Sequence, residues 1–256
     1  MVVSSHSAEG REVWRGDLLE ALRRFGASIP PQGLFPTVSA EATAFLMKDP
    51  YAFAIATCLD RGMKADVVWT FPFEMSRSLG HLDPHKIHTM TEEEIARLLA
   101  RLPRKPRFMN AAPRTIKELT RIVVEDCSGD AAAIWRGRTA SQVRGTFLRV
   151  YGVGPGIANM TVLLIEKAFG IRFSDLDRRT MDIKPDTHTC RVLSRLGVAG
   201  DTSTDAAIEG ARWLSPEYPG EIDGALWVIG RRWCRPSSPN CPMCPVGTVC
   251  KKVGLA

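Results

Sequence analysis

Apolar residues recur along most of the chain at spacings of three and four, which is the period of an amphipathic helix. In the first such pattern, residues 11–25, Trp14, Leu18 and Leu22 share one side. Alternating strand patterns and hairpin turns are almost absent. The sequence therefore predicts an all-α fold. Beyond the first helix, the predicted helices cover residues 40–47, 51–59, 64–71, 91–102, 113–127, 141–150, 157–169, 187–196, 204–214 and 224–233.

Residues typical of helix starts and helix ends lie at the boundaries of several predicted helices. Residues 91–94, Thr-Glu-Glu-Glu, form a capping box with an acidic first turn, and residues 103–106 contain the prolines that end the same helix. Residues 27–39 are rich in Pro and Gly, which favours a linker. Residues 81–88 hold His81, His85 and His88 beside an Asp-Pro pair; a polar surface loop is favoured there over a metal site.

Composition narrows the class of protein. A chain of 256 residues allows one large domain or two small ones. Its 45% hydrophobic and 24% charged residues exclude a wholly disordered, collagen-like or coiled-coil protein. No apolar run reaches the length of a membrane span, and the first ten residues lack a signal-peptide pattern, so we expect a cytoplasmic protein without membrane association. The net charge of +6 permits an anionic partner without identifying one.

A glycine-rich segment lies between two predicted helices, and it consists of Gly152, Val153, Gly154, Pro155 and Gly156. Glycine adopts positive φ readily, so this spacing predicts a tight turn. The absence of Cβ atoms also lets a phosphate approach the backbone, and the following helix presents free N–H groups to it. The residues alone leave open a plain inter-helix turn and an anion site. A P-loop is excluded because Gly-Lys-Ser/Thr is missing.

Four of the seven cysteines crowd into the last 23 residues, as Cys234, Cys241, Cys244 and Cys250. An odd total in a chain without a secretory pattern argues against a disulfide framework. Four thiolates spaced Cys-x6-Cys-x2-Cys-x5-Cys can hold a structural zinc ion or an iron–sulfur cluster, and the residues alone leave both open.

The glycine segment and the cysteine loop, in this order, resemble the endonuclease III family of helix-hairpin-helix DNA glycosylases. That family has the same cysteine spacing, around a [4Fe–4S] cluster, and a Gly-Val-Gly hairpin. About thirty residues after the hairpin it has an Asp-Thr-His helix start, which matches Asp186-Thr187-His188 here. Residues 226–231 also resemble the family's helix before the cluster, and weaker similarity extends back to about residue 51.

The resemblance implies an all-α fold of two domains. Residues 45–168 would form a six-helix barrel with the helix-hairpin-helix, and residues 1–44 with 169–256 would form the cluster domain. Cys234, Cys241, Cys244 and Cys250 would bind the [4Fe–4S] cluster. The partner would be double-stranded DNA with a damaged or modified base, bound by a monomer across a cleft. The hairpin, residues 152–156, would grip a backbone phosphate while the target nucleotide flips out.

The resemblance also implies the chemistry. Breaking an N-glycosidic bond builds positive charge on the sugar, which a carboxylate stabilises while it activates a nucleophile. Asp186 is matched to that carboxylate, although locally it is also a good N-cap. Family members with lyase activity carry a lysine at the position of Gly156 here. Water would therefore attack instead, giving a monofunctional glycosylase that leaves an abasic site.

Alternatives remain open at this point. A relocated lysine, Lys184 or Lys64, would make the enzyme bifunctional. A non-catalytic iron–sulfur DNA-binding protein and a zinc-stabilised module are further readings. The segment from Ala52 to Leu59 lacks the glutamate of adenine glycosylases, and Leu59 is either a core residue or an apolar wedge. The base that is excised is not fixed by these residues.

Candidate DNA contacts come from basic residues near the two motifs. Residues 225–256 contain five basic and no acidic side chains, at Arg231, Arg232, Arg235, Lys251 and Lys252. Arg231 and Arg235 are the candidate phosphate contacts among them. His188 and Arg191 lie one turn apart on the Asp186 helix, where they could order it or touch DNA.

Overall fold

The computed structural model describes residues 8–104 and 108–255, and it contains thirteen α-helices and no β-strand within them. The all-α prediction is therefore confirmed. No described helix combines the length and apolarity that a membrane crossing requires. The helices are α1 Ala8–Ser28, α2 Ala40–Lys48, α3 Pro50–Cys58, α4 Ala65–Val68, α5 Phe71–Leu79, α6 Pro84–Thr89, α7 Glu92–Arg101, α8 Ala112–Arg121, α9 Ala140–Leu148, α10 Pro155–Phe169, α11 Thr187–Leu196, α12 Thr204–Leu214 and α13 Asp223–Arg232.

The chain divides into two compact units. The central unit is Pro31–Leu176, and the terminal unit joins Met1–Pro30 to Asp177–Ala256. Residues 1–7 and 256, which the prediction assigned to the cluster domain, lie outside the described residues. The predicted boundaries at 45 and 168 both fall inside the central unit, because α2 and the segment after α10 also pack there.

Helix α3 occupies the core of the central unit. Asp49 caps it, with Oδ1 accepting hydrogen bonds from the N–H groups of Tyr51 and Ala52 at 2.8 and 3.1 Å. Every residue from Tyr51 to Cys58 is buried, as expected of a helix that is apolar on all sides. The Phe53 ring lies 5.1–6.2 Å, between centroids, from four other aromatic rings, those of Phe35, Trp69, Trp135 and Phe169.

Four helices form the core of the terminal unit. Helix α11 packs on α12 and α13, and α1 packs on α13. The Trp14 ring on α1 stacks on Trp213 at 6.1 Å, and its Nε1 donates to the Val249 carbonyl at 2.8 Å. The first helix is therefore fixed to the C-terminal part of the chain.

Two predicted segments differ from the structure. Residues 27–39 are not simply a linker, since α1 continues to Ser28 and Leu34 and Phe35 are buried after a short 3-10 turn. The predicted helix over residues 64–71 is two helices, α4 and α5, with Pro72 in the first turn of α5. Proline starts a helix well there because its missing N–H would be unpaired in any case.

Two further boundaries also differ. The Asp83-Pro84 pair begins α6 rather than a loop, because Asp83 caps the His85 N–H and Pro84 occupies the first turn. The helix predicted over 113–127 stops at Arg121 and continues as a π-helical turn over Ile122–Asp126. Residues 105 and 106 of the proline tract lie outside the described residues.

Candidate functional site

The glycine segment forms the connection from α9 to α10. Gly152 has φ +80°, a conformation that favours glycine, and the Val153 N–H closes the turn on the Val150 carbonyl at 3.0 Å. Gly154 is the N-cap of α10 and gives it no side-chain hydrogen bond, and Pro155 is in the first turn. Among the described residues, none accepts from the N–H groups of Gly156 or Ile157. This helix start therefore presents unpaired donors, as an anion site requires.

Asp186 is the N-cap of α11. Its Oδ1 accepts hydrogen bonds from the N–H groups of His188 and Thr189 at 2.7 and 2.9 Å, and the Thr189 hydroxyl closes a capping box by accepting from the Asp186 N–H at 2.8 Å. All contacts that the described residues make to the carboxylate go to Oδ1. Because the side chain is only half-buried, Oδ2 is left for a ligand or water.

His188 and Arg191 brace the same helix. Arg191 donates to the carbonyls of Cys234 at 2.8 Å and Gly230 at 3.0 Å, and to His188 Nδ1 at 3.1 Å. Since an arginine can only donate, His188 Nδ1 is the acceptor and its ring proton lies on Nε2. Burial lowers the pKa of His188, which favours this neutral form. Both side chains are therefore positioned to hold α11 against α13, and a DNA contact by either stays a prediction.

Gly156, the residue matched to the family's lysine, lies in the first turn of α10 and carries no amine. Lys184 lies two residues before Asp186 in the terminal unit, where its backbone N–H donates to Asp223 at 3.1 Å. Lys64 lies in the central unit, exposed at the start of α4. The two candidate relocated amines thus belong to different units.

The four clustered cysteines line a single cavity in the terminal unit. They are reduced and half-buried, and apolar side chains from α11 and α13 complete the wall. Gly247 lets the loop close, because a Cβ there would lie 2.4 Å from the Cys241 carbonyl oxygen. Burial raises the pKa values of Cys244 and Cys250, and the neighbouring thiols act in the same direction.

Arg195 ties both ends of this loop to α11. Its Nη1 contacts Cys234 Sγ at 3.5 Å and the Arg235 carbonyl at 2.6 Å, while its own carbonyl accepts from Cys250 Sγ at 3.4 Å. The position of Arg195 in the sequence gives no indication of these contacts, because they join residues about 40 to 55 apart.

The donor set is four cysteine sulfurs around one cavity, and both a structural zinc ion and an iron–sulfur cluster use such thiolates. In residues 8–104 and 108–255, no group of three or more His, Cys, Asp or Glu side chains is arranged to hold one metal ion. A zinc site needs all four sulfurs at about 2.3 Å from one centre. In a [4Fe–4S] cluster each thiolate binds a different iron, so the sulfurs surround a larger group, as four cysteines around one cavity do. His81 precedes α6, whereas His85 and His88 lie on that helix rather than in the predicted loop, and His85 is exposed.

The remaining candidates are the predicted DNA contacts Arg231 and Arg235 and the possible apolar wedge Leu59. The Arg231 guanidinium lies 4.7 Å from the Trp227 ring centroid, and exposed Arg235 donates to the Ser238 carbonyl at 3.1 Å. Leu59 is only 6% exposed and lines a small apolar cavity with Phe71 and Phe108, which favours core packing over a wedge.

Two side chains beside the hairpin are likewise not indicated by the sequence. Arg61 and Arg114 both lie near Tyr151, at the entrance of the glycine segment. Arg61 follows α3 and Arg114 is on α8, so only the fold brings them to the hairpin. No spacing in the sequence could have indicated this.

Comparison with known proteins agrees with this architecture. No protein-family model matches the chain. It is 27% identical over 143 residues to endonuclease III of Bacillus subtilis and 28% identical over 137 residues to that of Thermotoga maritima. These matches cover 54% and 53% of this chain and 55% and 54% of the relatives, so the chain spans about half their length. An adenine DNA glycosylase of Schizosaccharomyces pombe is 36% identical over 73 residues, covering 26% of this chain and 16% of that protein.

Solved structures share the fold over nearly the whole chain. A trapped covalent endonuclease III–DNA intermediate matches with a TM-score of 0.62 at 20% identity, covering 94% of this chain and 95% of that one. A thermostable thymine-DNA glycosylase matches with a TM-score of 0.59 at 19% identity, covering 94% and 97%.

The fold and the site define an all-helical protein with a glycine hairpin before one helix, a capping carboxylate at another and a four-cysteine loop. By partial sequence similarity and by fold, the chain resembles the endonuclease III-like helix-hairpin-helix DNA glycosylases.

Proposed function

We propose that this protein is a monofunctional DNA glycosylase of base excision repair. It would bind double-stranded DNA as a monomer, extrude a damaged or modified base, and cut the N-glycosidic bond by hydrolysis to leave an abasic site. The observation that carries the proposal is Asp186, whose Oδ1 is fixed by two backbone N–H groups while Oδ2 makes no contact with the described residues.

The hairpin supports the DNA-binding part of the proposal. An uncapped helix start carries unpaired N–H groups and the positive end of the helix dipole, and both attract an anion. Gly152 and Gly154 lack side chains that would keep a phosphate away from this backbone. A Cβ on Gly154 would have no neighbour within 4 Å, so the approach to it is open.

Asp186 supports the chemical part. As the base departs, positive charge develops on the sugar, and a carboxylate oxygen close to it lowers the energy of that state. Oδ2 can also accept a proton from an attacking water. The hydrogen bonds to Oδ1 fix the orientation of the group before the reaction, so no reorganisation is needed at that step.

Hydrolysis is favoured over lyase chemistry by the residue at position 156. A glycine cannot supply the amine that forms a Schiff base with the sugar. A bifunctional enzyme would need Lys184 or Lys64 to act instead. An adenine-type mechanism is disfavoured because α3 carries no glutamate.

For the cysteine loop we propose a [4Fe–4S] cluster held by Cys234, Cys241, Cys244 and Cys250, so that the terminal unit is the cluster domain. Such a cluster, when bound, would cross-link the end of α13 to the C-terminal loop. Arg195 would donate to the Cys234 sulfur and keep that loop on α11. A protein that absorbs near 400 nm and contains iron would support this assignment, whereas a colourless protein with one zinc would contradict it.

The function is tested with a panel of duplexes, each carrying one alkylated, deaminated or oxidised base. We expect the wild type to release at least one base and leave alkali-labile abasic sites. Asp186→Asn, purified in the same way, should release that base at least about a hundredfold more slowly, which excludes a contaminating glycosylase. If wild type binds DNA but releases no base from any duplex, the protein is instead a non-catalytic DNA-binding protein.

Borohydride trapping tests the absence of lyase activity. A hydrolytic enzyme forms no imine with the sugar, so we expect no covalent protein–DNA adduct. An adduct on a productive substrate would refute the monofunctional assignment. Its loss in Lys184→Gln or Lys64→Gln would then identify the amine.

A further inference from the structure

Next to the hairpin, an exposed aromatic ring is held by a rigid backbone. The Tyr151 N–H donates to Glu118 Oε2 at 2.6 Å, and its carbonyl accepts from the Thr115 hydroxyl at 2.9 Å. The ring itself is not packed into the core, and the residue is 40% exposed. Side chains of α8 therefore fix the backbone of Tyr151 while they leave its ring at the surface.

Two guanidinium groups flank this ring. That of Arg114 lies 4.1 Å from the ring centroid and that of Arg61 lies 5.9 Å from it. Arg61 also donates to the Thr115 hydroxyl at 2.7 Å and to the Tyr151 carbonyl at 3.4 Å. A cation over an aromatic face is held in place without losing the capacity of its N–H groups to bind an anion.

Gly152 creates the space for Arg61. A Cβ at this position would lie 1.3 Å from Arg61 Nη1, so any other residue would displace the guanidinium. The glycine that gives the hairpin its positive φ thus also lets a positive charge lie against the turn. The two arginines together with Glu118, which pairs with Arg114 at 2.9 Å, leave this group with a net charge of +1.

We propose that Arg61, Arg114 and Tyr151 form a second phosphate site for the DNA strand that the hairpin holds. Tyr151 lies three residues before the N-cap Gly154. The two guanidinium groups beside it therefore add side-chain N–H donors to the backbone N–H donors at the start of α10. Arg114 is the phosphate contact, Tyr151 supports its guanidinium, and Arg61 supplies the second positive charge at the turn. The inference rests on the proposed DNA-binding function.

Arg114 has a matched control on the same helix. Arg121 is two turns further along α8, and it pairs with Glu125 at 3.2 Å as Arg114 pairs with Glu118. The side chains of Arg114 and Arg121 are 51% and 45% exposed. Each variant, Arg114→Gln and Arg121→Gln, removes one positive charge and one ion pair between residues four apart. Of Arg114 and Arg121, Arg114 is the one next to the Tyr151 ring.

The test is the salt dependence of binding to an undamaged duplex, measured by fluorescence anisotropy. Each phosphate contact contributes about 0.9 to the slope of log affinity against log salt. We expect Arg114→Gln to lower the slope by about 0.9 and the affinity by about eightfold at 0.1 M salt. Arg121→Gln should match the wild type. Equal slopes for all three proteins, or the same decrease in both variants, would overturn the proposal.

The ring is tested separately from the charge. We expect Tyr151→Leu to weaken binding about two- to fivefold, because an exposed cation–π contact is lost. Tyr151→Phe keeps the ring and should bind as the wild type does. Wild-type affinity in Tyr151→Leu would remove Tyr151 from the site. A wild type that binds no duplex would instead refute the proposed function, so the two failures are distinguishable.

Discussion

The first turns of α10 and α11 differ in whether their unpaired N–H groups are capped. Each helix begins with N–H groups that have no partner within the helix. At α11 the Asp186 carboxylate accepts two of them and Thr189 completes the cap. At α10 the N-cap is Gly154, which has no side chain and leaves the donors open. The first arrangement presents a fixed carboxylate, and the second presents a place for an anion.

Under the proposed function, the two motifs would serve different parts of one reaction, the one holding DNA and the other acting on the sugar. A capped helix start is stable by itself and holds its carboxylate in one orientation. A start with glycine as its N-cap gives up about 0.3 kcal/mol of local stabilisation relative to a capping side chain, and a bound ligand can restore it. Variants at these two helix starts should therefore separate stability from binding and from chemistry.

The largest effect is expected at Asp186. Both Asp186→Asn and Asp186→Ala should slow base release by about a hundred- to ten-thousandfold, because neither keeps the carboxylate. Asparagine still caps the helix, so only the alanine variant should lose stability, by about 1 kcal/mol. Single-turnover base release and urea unfolding measure the two effects. Retained activity in Asp186→Asn would show that the carboxylate serves only as a cap.

Both helix starts can be predicted from the sequence, whereas the arginines that surround the hairpin and the cysteine loop cannot, for a physical reason. The spacing of the glycines, of Asp186 and of the four cysteines is local, and so is the capping chemistry that it indicates. The sequence could therefore predict both helix starts. The surroundings of Arg61 and Arg195 depend on contacts over 90 and about 40 residues of chain, which no local pattern encodes.

The helices also divide into what local sequence predicts and what it does not. The three- and four-residue spacing of apolar residues predicts that the helices exist, whereas the Asp83-Pro84 pair predicts a loop where α6 begins. An Asp before a proline suits a turn and also suits an N-cap followed by a first-turn proline. The helix is favoured over the turn by the burial of Ile87, two residues beyond His85, in the core of the central unit. This burial depends on tertiary packing, which the local sequence does not indicate.

The next effect is expected where α11 meets α13. A Cβ added to Gly230 would lie 2.7 Å from the His188 Cβ and 3.1 Å from its backbone. We expect Gly230→Ala to lower the free energy of unfolding by about 1–3 kcal/mol, because the two helices must separate. Base release should fall as well if this contact holds Asp186 in place. Circular dichroism on urea titration gives the stability.

Gly16 is the matched control for that variant. It lies within α1 of the same unit, and an added Cβ would have no neighbour within 4 Å. Gly16→Ala should therefore raise stability by about 0.5–1 kcal/mol through its higher helix propensity. A Gly230→Ala protein as stable as Gly16→Ala would show that α13 can move away without loss.

A smaller and more specific effect is expected at Gly154. A serine there can cap α10, since the backbone is extended at φ −96° and ψ 177° and the space around a new Cβ is open. Gly154→Ser should be more stable than Gly154→Ala by about 1 kcal/mol. The same hydroxyl would occupy an N–H group that a phosphate needs, so DNA affinity should be about two- to tenfold lower than in Gly154→Ala.

Thermal unfolding and anisotropy on these two variants test the contrast directly. Both have the same Cβ, so steric exclusion of DNA cancels between them. If serine stabilised the helix and left affinity unchanged, the open donors of α10 would not be the phosphate contact. The two helix starts would then differ in stability alone.

The smallest effect is expected from protonation at α11. Burial lowers the pKa of His188 from its ordinary 6.5, although Asp186 partly opposes this. Between the lowered value and 6.5 the unfolded chain therefore binds more protons than the folded protein. Stability from the neutral ring is complete above about pH 6.5 and is lost as the pH falls through that window.

We therefore expect acidification from about pH 7 to about pH 5.5 to lower the melting temperature less in His188→Gln than in the wild type. Glutamine can still accept the hydrogen bond from Arg191 but does not titrate, so the contact is kept while the proton is removed from the comparison. Between pH 7 and 8 the two proteins should keep a constant difference, which serves as the internal control. If acidification lowered the melting temperatures of the two proteins equally, the ring of His188 would accept a proton without disturbing the helix start that carries Asp186.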